Sequence, residues 1–208
     1  MLKRFSTLVA GLSKPKHTFP IRALPKLWVM TDVVRLPDPS PIIAQLPVNS
    51  AVVIRHPDAK IRRALAVRVH SLCKARRVKL LISDDWRSVA ALGADGVHLP
   101  ERSTTYMSAG LRLFHRSKRI IVTAASHSER VIHKAYVAKC DAVFVSPVLP
   151  TQSHPTTRAL GRVRYAQWAR GAQMPVIALG GITFNTLRSL NDTCTSGVAG
   201  ISFTEKSD

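Results

Sequence analysis

Eight short apolar runs alternate with helical segments along this 208-residue chain. That alternation predicts an α/β fold, a single (β/α)8 TIM barrel. Two further observations point the same way. The runs do not alternate apolar with polar residues, so each strand is expected to be buried on both faces, as a parallel sheet requires. No strand reads as a polar edge, which favours a closed barrel over an open doubly wound sheet. After Phe203 only TEKSD follows, so the eighth helix is expected to be absent or replaced, with the N-terminal extension a candidate substitute.

Residues 1–24 read as a basic N-terminal extension and residues 25–208 as the barrel domain. In the extension, TLVAGL is followed by Lys and Pro rather than by a small-residue cleavage site, so one or two helical turns are expected. An Arg/Ser-rich organelle transit peptide is the alternative. The first strand is Leu27–Thr31, with Asp32 at its end, and the Pro-rich DPSPIIAQL supports only a short helix. Ala51–Arg55 is the second strand. It leads through HPD into a long helix, Ala59–Arg77, with an apolar stripe of Ile61, Leu65, Val69 and Leu72. Lys60, Arg62, Arg63, Arg68, Lys74, Arg76 and Arg77 largely face away from that stripe. Lys79–Ser83 is a strand ending in Asp84 and Asp85, and WRSVAALG is a helix closed by Gly93.

Gly96–Leu99 is the fourth strand, followed by PERS and a helix near Thr104–His115. Arg119–Thr123 is the fifth strand and ends in AASHS. Glu129–Lys139 is helical, Asp141–Ser146 is a strand, and PVLPTQSHP is a loop leading to the helix Gly161–Gly171. Pro175–Leu179 is the seventh strand; Gly180 and Gly181 stop it, and Thr183 caps a helix over FNTLRSL. Gly197–Phe203 is the eighth.

Lys+Arg 31 against Asp+Glu 12 gives a net charge of +19, a field that attracts phosphorylated metabolites, nucleic acid or acidic surfaces alike. The basic helix lacks interleaved aromatics, so a solvated face is preferred over a nucleic-acid groove. Cys73, Cys140 and Cys194 are far apart and lie in or next to apolar or helical runs, as expected of reduced thiols in a cytoplasmic protein. No apolar run reaches the length of a membrane span. No His/Asp combination has metal-motif spacing such as H-E-x-x-H.

In such barrels the functional site lies at the C-terminal ends of the strands. The polar residues there are Asp32, Arg55, Ser83 with Asp84, Ser126 with His127, Ser146, Thr151 with His154, and Ser202. The expected phosphate site comprises Gly180, Gly181, Ile201 and Ser202. The two glycines leave the backbone N–H groups uncovered, and a helix start stands behind them. His98, inside a strand, reads as a satisfied core or mouth histidine. Asp84 reads equally as a ligand contact or as a helix cap, and capping also competes at His127.

ISDDWRSVAALGADGVHLPERS, VTAASHSERVIHKAYVAKCDAVFVSPVLPTQSHP and MPVIALGGITFNTLRSL resemble the thiamine phosphate synthase/TenI family from about Leu27 to Phe203. The resemblance implies a (β/α)8 barrel that joins hydroxymethylpyrimidine diphosphate to thiazole phosphate and releases pyrophosphate, with Mg²⁺. It assigns Arg55, Ser126 and His154 to the catalytic set, with Arg55 matching the diphosphate motif, Asp84 to the metal, and Gly180, Gly181, Ile201 and Ser202 to the substrate phosphate.

The chain departs from the family pattern in several places. Q-x-R-x-K reads V-I-R-H-P, which keeps Arg55 but places Val53 and Pro57 beside it. Lys60 is a little further on. Ser103 stands where a second Mg²⁺ carboxylate belongs, with Glu101 or Asp85 as possible compensation, and His154 replaces a lysine. The TenI-type catalytic histidine position is Pro147, leaving His127 or His154 as nearby bases. The thiazole-phosphate half is kept and the diphosphate half is eroded. Two functions therefore stay open, a divergent transferase and a non-catalytic or regulatory thiazole-phosphate or thiamine-phosphate binder. Nucleic-acid binding is a weaker third, and a homo-oligomer is left open.

Overall fold

The computed structural model describes residues 7, 9, 23–104, 107–118, 120–151 and 158–201. Eight parallel strands close into a barrel: β1 (Leu27–Met30), β2 (Ala51–Ile54), β3 (Lys79–Ser83), β4 (Gly96–Leu99), β5 (Ile121–Ser126), β6 (Ala142–Val145), β7 (Val176–Leu179) and β8 (Gly197–Gly200). Closure is made by β1 against β8, with Trp28 opposite Ala199. The helices are α1 (Ser40–Gln45), α2 (Ala59–Arg76), α3 (Trp86–Leu92), α4 (Glu101–Thr104), α5 (Ala109–Lys118), α6 (Glu129–Val137), α7 (Arg162–Gly171) and α8 (Phe184–Leu187), the last continued by a 3-10 turn at Arg188–Leu190.

The unbroken apolar character of the strands has its reason in two cores. Trp28, Met30, Ala51, Val53, Leu81, Ile121, Ala142, Phe144, Ile177 and Ala199 fill the barrel interior. Val29, Val52, Ile54, Leu80, Ile82, Val122, Val143 and Val198, from the alternate positions, pack outward under the helices. Trp28 and Phe144 meet edge to face at 5.1 Å, and the Trp28 indole N–H donates to the Pro25 carbonyl at 2.7 Å. The interior is a packed plug, so ligands can reach only the rim.

Local signals explain the helices. Asp58 caps α2 by accepting from the N–H groups of Lys60 and Ile61 at 2.7 and 2.9 Å, and Arg77 closes it in the left-handed region at φ 53°. The buried stripe of α2 is Ala66, Val69 and Cys73, one position round from the stripe expected; Ile61 is 47% exposed and faces a cavity near the mouth. Four of its arginines are engaged within the protein. Arg62 bonds the His56 carbonyl, Arg63 Ser88, Arg68 Asp38 and Arg76 the Leu46 carbonyl.

Two boundaries differ from expectation with consequences for the mouth. The fifth strand begins at Ile121 and continues to Ser126 rather than stopping at Thr123. The helix expected over FNTLRSL is a single α turn followed by the 3-10 turn. Thr7 and Val9, within the extension, are helical, and Val9 is buried in the outer core. The residues beyond Ile201, including most of the expected eighth strand's end, lie outside the described residues. All three cysteines are free thiols; burial raises Cys73 and Cys140 to about 12. Among the described residues no helix is long and apolar enough to cross a membrane.

Candidate active site

The strand ends converge as the barrel geometry requires. A cavity of about 310 Å³ is lined by Thr31, Asp32, Arg55, His56, Pro57, Arg62, Ser83, Asp84 and Arg102, among others. The fold thus gathers four of the expected rim residues, Asp32, Arg55, Ser83 and Asp84, into one depression. Arg55 stays open to solvent through the mouth. The surrounding walls nevertheless displace enough water to lower its pKa, opposed by the charge of Asp32. Val53, two residues earlier, is fully buried in the barrel interior and cannot reach a ligand at the rim. Lys60 lines a cavity of about 610 Å³ on the outer side of α2, with Arg63, Val67 and Asp85, and does not line the mouth cavity.

Arg62, Arg102 and Thr31 were not singled out for the site by sequence reasoning. Arg62 donates to the His56 carbonyl at 2.7 Å, while its Nε is buried without a hydrogen-bond partner among the described residues. The signal that could have found Arg102 is its place directly beside Ser103, in the segment already expected to carry a ligand.

Asp84 is neither a helix cap nor free. Asp85 caps α3, accepting from the Ser88 N–H at 3.0 Å, which settles the capping alternative against Asp84. Asp84 itself lies in the left-handed region at φ 55°, its N–H bonded to the His98 carbonyl at 2.9 Å. Its Oδ2 accepts from Arg102 at 2.7 Å and its Oδ1 from the Ser103 hydroxyl at 2.9 Å. Neither compensating carboxylate joins it. Glu101 accepts from the His127 N–H at 2.8 Å, and Asp85 is tied to Ser88 and Arg63. Among the described residues no three His, Cys, Asp or Glu side chains cluster as metal ligands. The residues present therefore do not fit an Mg²⁺ ion held by paired carboxylates.

Ser126 is not a mouth residue. It continues the outward parity of Val122 and Ala124, is fully buried, and its hydroxyl donates to the Ser128 carbonyl at 2.7 Å. Ala125, on the inward parity of Ile121 and Thr123, takes the mouth position. The structural reason is the longer fifth strand, which turns position 126 to the outer face. His127 instead crosses to the end of β6, its Nδ1 lying 2.7 Å from the Ser146 carbonyl, an arrangement that places the proton on Nδ1. His98 is buried, bonded through Nδ1 to the Thr123 hydroxyl at 2.9 Å, and desolvation lowers its pKa to about 3. It is a neutral interior histidine, as expected.

Gly180 and Gly181 have positive φ values of 91° and 70°. The chain leaving β6 lies directly over them. A Cβ on Gly180 would fall 2.9 Å from Pro147 Cα, and one on Gly181 would fall 2.5 Å from the Pro150 carbonyl oxygen. Leu149 N–H donates to the Gly180 carbonyl at 3.1 Å. Packing thus accounts for both glycines, not only access for a ligand. What remains for a ligand is their N–H groups, which donate to no acceptor among the described residues. The helix behind them is one turn long, and its Thr186 N–H is already taken by the Thr183 hydroxyl at 3.2 Å, so it adds little to an anion site. Ile201 is half-buried at the edge of the inner core. His154 and Ser202 lie outside the described residues.

A closed parallel barrel with guanidinium groups round a cavity at its rim, and with Gly180 and Gly181 N–H groups that donate to no acceptor among the described residues, defines a (β/α)8 protein. The chain belongs to the thiamine monophosphate synthase family, whose profile matches residues 46–204. It is 33% identical over 153 residues to a protein described as putative thiamine-phosphate synthase 2 of Aquifex aeolicus, covering 73% of this chain and 80% of that one. It is 30% identical over 142 residues to the thiamine-phosphate synthase of Pasteurella multocida, covering 67% of this chain but 63% of the relative. Among solved structures, the thiamine phosphate pyrophosphorylase of Pyrococcus furiosus superposes with a TM-score of 0.67 at 22% identity, over 84% of each chain. At that identity the likeness speaks for the fold.

Proposed function

We propose that this chain is a thiamine-phosphate-synthase transferase, joining hydroxymethylpyrimidine diphosphate to thiazole phosphate. In that reaction the bond between the pyrimidine methylene and the diphosphate oxygen breaks, and the electron pair leaves with pyrophosphate. The thiazole nitrogen lone pair then closes the new C–N bond. The observation that carries the reading is Arg55 at the end of β2, gathered with Arg62 and Arg102 round one cavity in a chain of this family. Guanidiniums placed where negative charge accumulates on the leaving group lower the barrier to its departure. The Gly180 and Gly181 N–H groups, with Ile201 and Ser202, are assigned to the thiazole phosphate, and His154 to the diphosphate end. Ser126 is left out of the catalytic set.

The ligands are then small phosphorylated metabolites and the setting cytoplasmic. Nucleic acid is not among the partners, a reading supported by the engagement of four α2 arginines in contacts within the protein. A second reading, thiazole-phosphate binding without turnover, draws on Asp84, whose two oxygens are both engaged. Mass-spectrometric detection of thiamine phosphate from the two substrates separates the two. Product formation supports the transferase, and binding of thiazole phosphate without product selects the binder.

A further inference from the structure

Asp84 and Ser103 occupy the two positions at which the family resemblance expects metal-binding carboxylates, and the fold does bring them together, at 2.9 Å. A neutral hydroxyl stands at one position and a guanidinium lies against the carboxylate at the other, Arg102 Nη2 reaching Asp84 Oδ2 at 2.7 Å. Ser103 lacks the second carboxylate, and the adjacent Arg102 brings a guanidinium to the first, so the two compensate electrostatically. A dication between two carboxylates is neutral overall, and so is one guanidinium on one carboxylate. The charge balance of the rim is thus kept with no metal ion in it.

The remainder of the cavity is cationic. Arg55 and Arg62 line it with Arg102, while the carboxylate of Asp32 is engaged by the N–H groups of Val34 and Arg35 at 3.1 and 2.9 Å. Arg62 adds a buried Nε with no partner among the described residues. Arg102 has 77% of its side chain exposed, and its planar group carries five N–H donors, enough to hold Asp84 and a phosphate together.

We propose that this mouth binds a diphosphate without a divalent cation, Arg102 supplying the positive charge that a metal ion would otherwise bring. The proposal rests on the transferase reading only for the identity of the diphosphate ligand. Its test is titration calorimetry with inorganic pyrophosphate, once with a chelator and once with excess Mg²⁺. Binding to the unmodified protein is expected with the chelator and no tighter with Mg²⁺. Arg102→Gln, at an exposed position that leaves the fold intact, is expected to weaken metal-free binding roughly tenfold or more, the value of a charge-assisted hydrogen bond. Arg102→Gln combined with Ser103→Asp is expected to make binding depend on Mg²⁺.

Pyrophosphate binding that appears only with Mg²⁺, that ignores Arg102→Gln, or that is absent in both conditions overturns the proposal. The product assay fails separately. Metal-free pyrophosphate binding without thiamine phosphate formation leaves this inference standing and removes the transferase. Product formed only when Mg²⁺ is needed for pyrophosphate binding does the reverse.

Discussion

Thr31 holds Arg55 at both of its backbone polar groups: the Thr31 hydroxyl accepts from the Arg55 N–H at 2.6 Å and donates to the Arg55 carbonyl at 2.9 Å. Thr31 is only 2% exposed, so both bonds are largely sheltered from water. One side chain therefore fixes where the guanidinium leaves the rim. Thr31→Val keeps the shape and removes both bonds, at a cost of about 1–3 kcal/mol and several degrees of Tm. It is also expected to weaken pyrophosphate binding several-fold, whereas Thr31→Ser keeps both properties. Thermal melting and calorimetry on the two variants check this, and equal affinities in Thr31→Val and the unmodified protein would remove the positioning role.

Ser126 and Ala125 give the opposite kind of expectation. Because the Ser126 hydroxyl is engaged at Ser128 on the outer face, Ser126→Ala is expected to cost about 1 kcal/mol of stability through the lost hydrogen bond. Ligand affinity and any turnover are expected to stay within about twofold, since a cost of only a few tenths of a kcal/mol at the mouth corresponds to that ratio. Denaturant midpoints and the product assay measure both.

These two residues also show what could be read in the sequence and what could not. The eight strands and the closed barrel were legible because a strand buried on both faces has an unmistakable composition, as in Ala51–Ile54 and Ala142–Val145. Arg55 was legible because it directly follows such a strand. Ser126 was misplaced because side chains alternate faces along a strand, and an end misjudged by a few residues can hide on which face a residue lies. Arg102 escaped because its role depends on contact with Asp84, eighteen residues away in sequence, which no local pattern encodes. The glycine pair was recognised, but its steric reason, the overlying Pro147–Pro150 chain, comes from another barrel unit.

Gly93 and Gly181 separate backbone strain from steric exclusion. Both have positive φ, 66° and 70°, but a Cβ on Gly93 would meet nothing within 4 Å, whereas one on Gly181 meets the Pro150 carbonyl oxygen at 2.5 Å. Gly93→Ala is therefore expected to cost about 1 kcal/mol, the left-handed penalty alone. Gly181→Ala adds a backbone clash and is expected to lower stability further and to displace the segment over β7. Urea midpoints for the two variants, compared side by side, test the difference.

His98 makes stability depend on pH in a window that can be assigned. Its folded pKa is lowered to about 3 by desolvation first and by the charge of Arg55 second, against an ordinary value of 6.5. The unfolded chain therefore binds a proton at His98 that the folded chain refuses. Stability is complete above pH 6.5 and falls as the pH drops toward 3, by about 1.4 kcal/mol per pH unit for one proton. Asp32, Asp38, Asp58 and Asp85 are all held below their ordinary value of 3.8, so their contributions are lost only at lower pH. Between pH 6.5 and 4.5 the slope is expected to belong mainly to His98. His98→Gln can still bond the Thr123 hydroxyl and cannot titrate, so its Tm is expected to be lower at pH 7.5 but nearly flat across that window. If the variant keeps the slope of the unmodified protein, the proton is taken up elsewhere and His98 is not the titrating group.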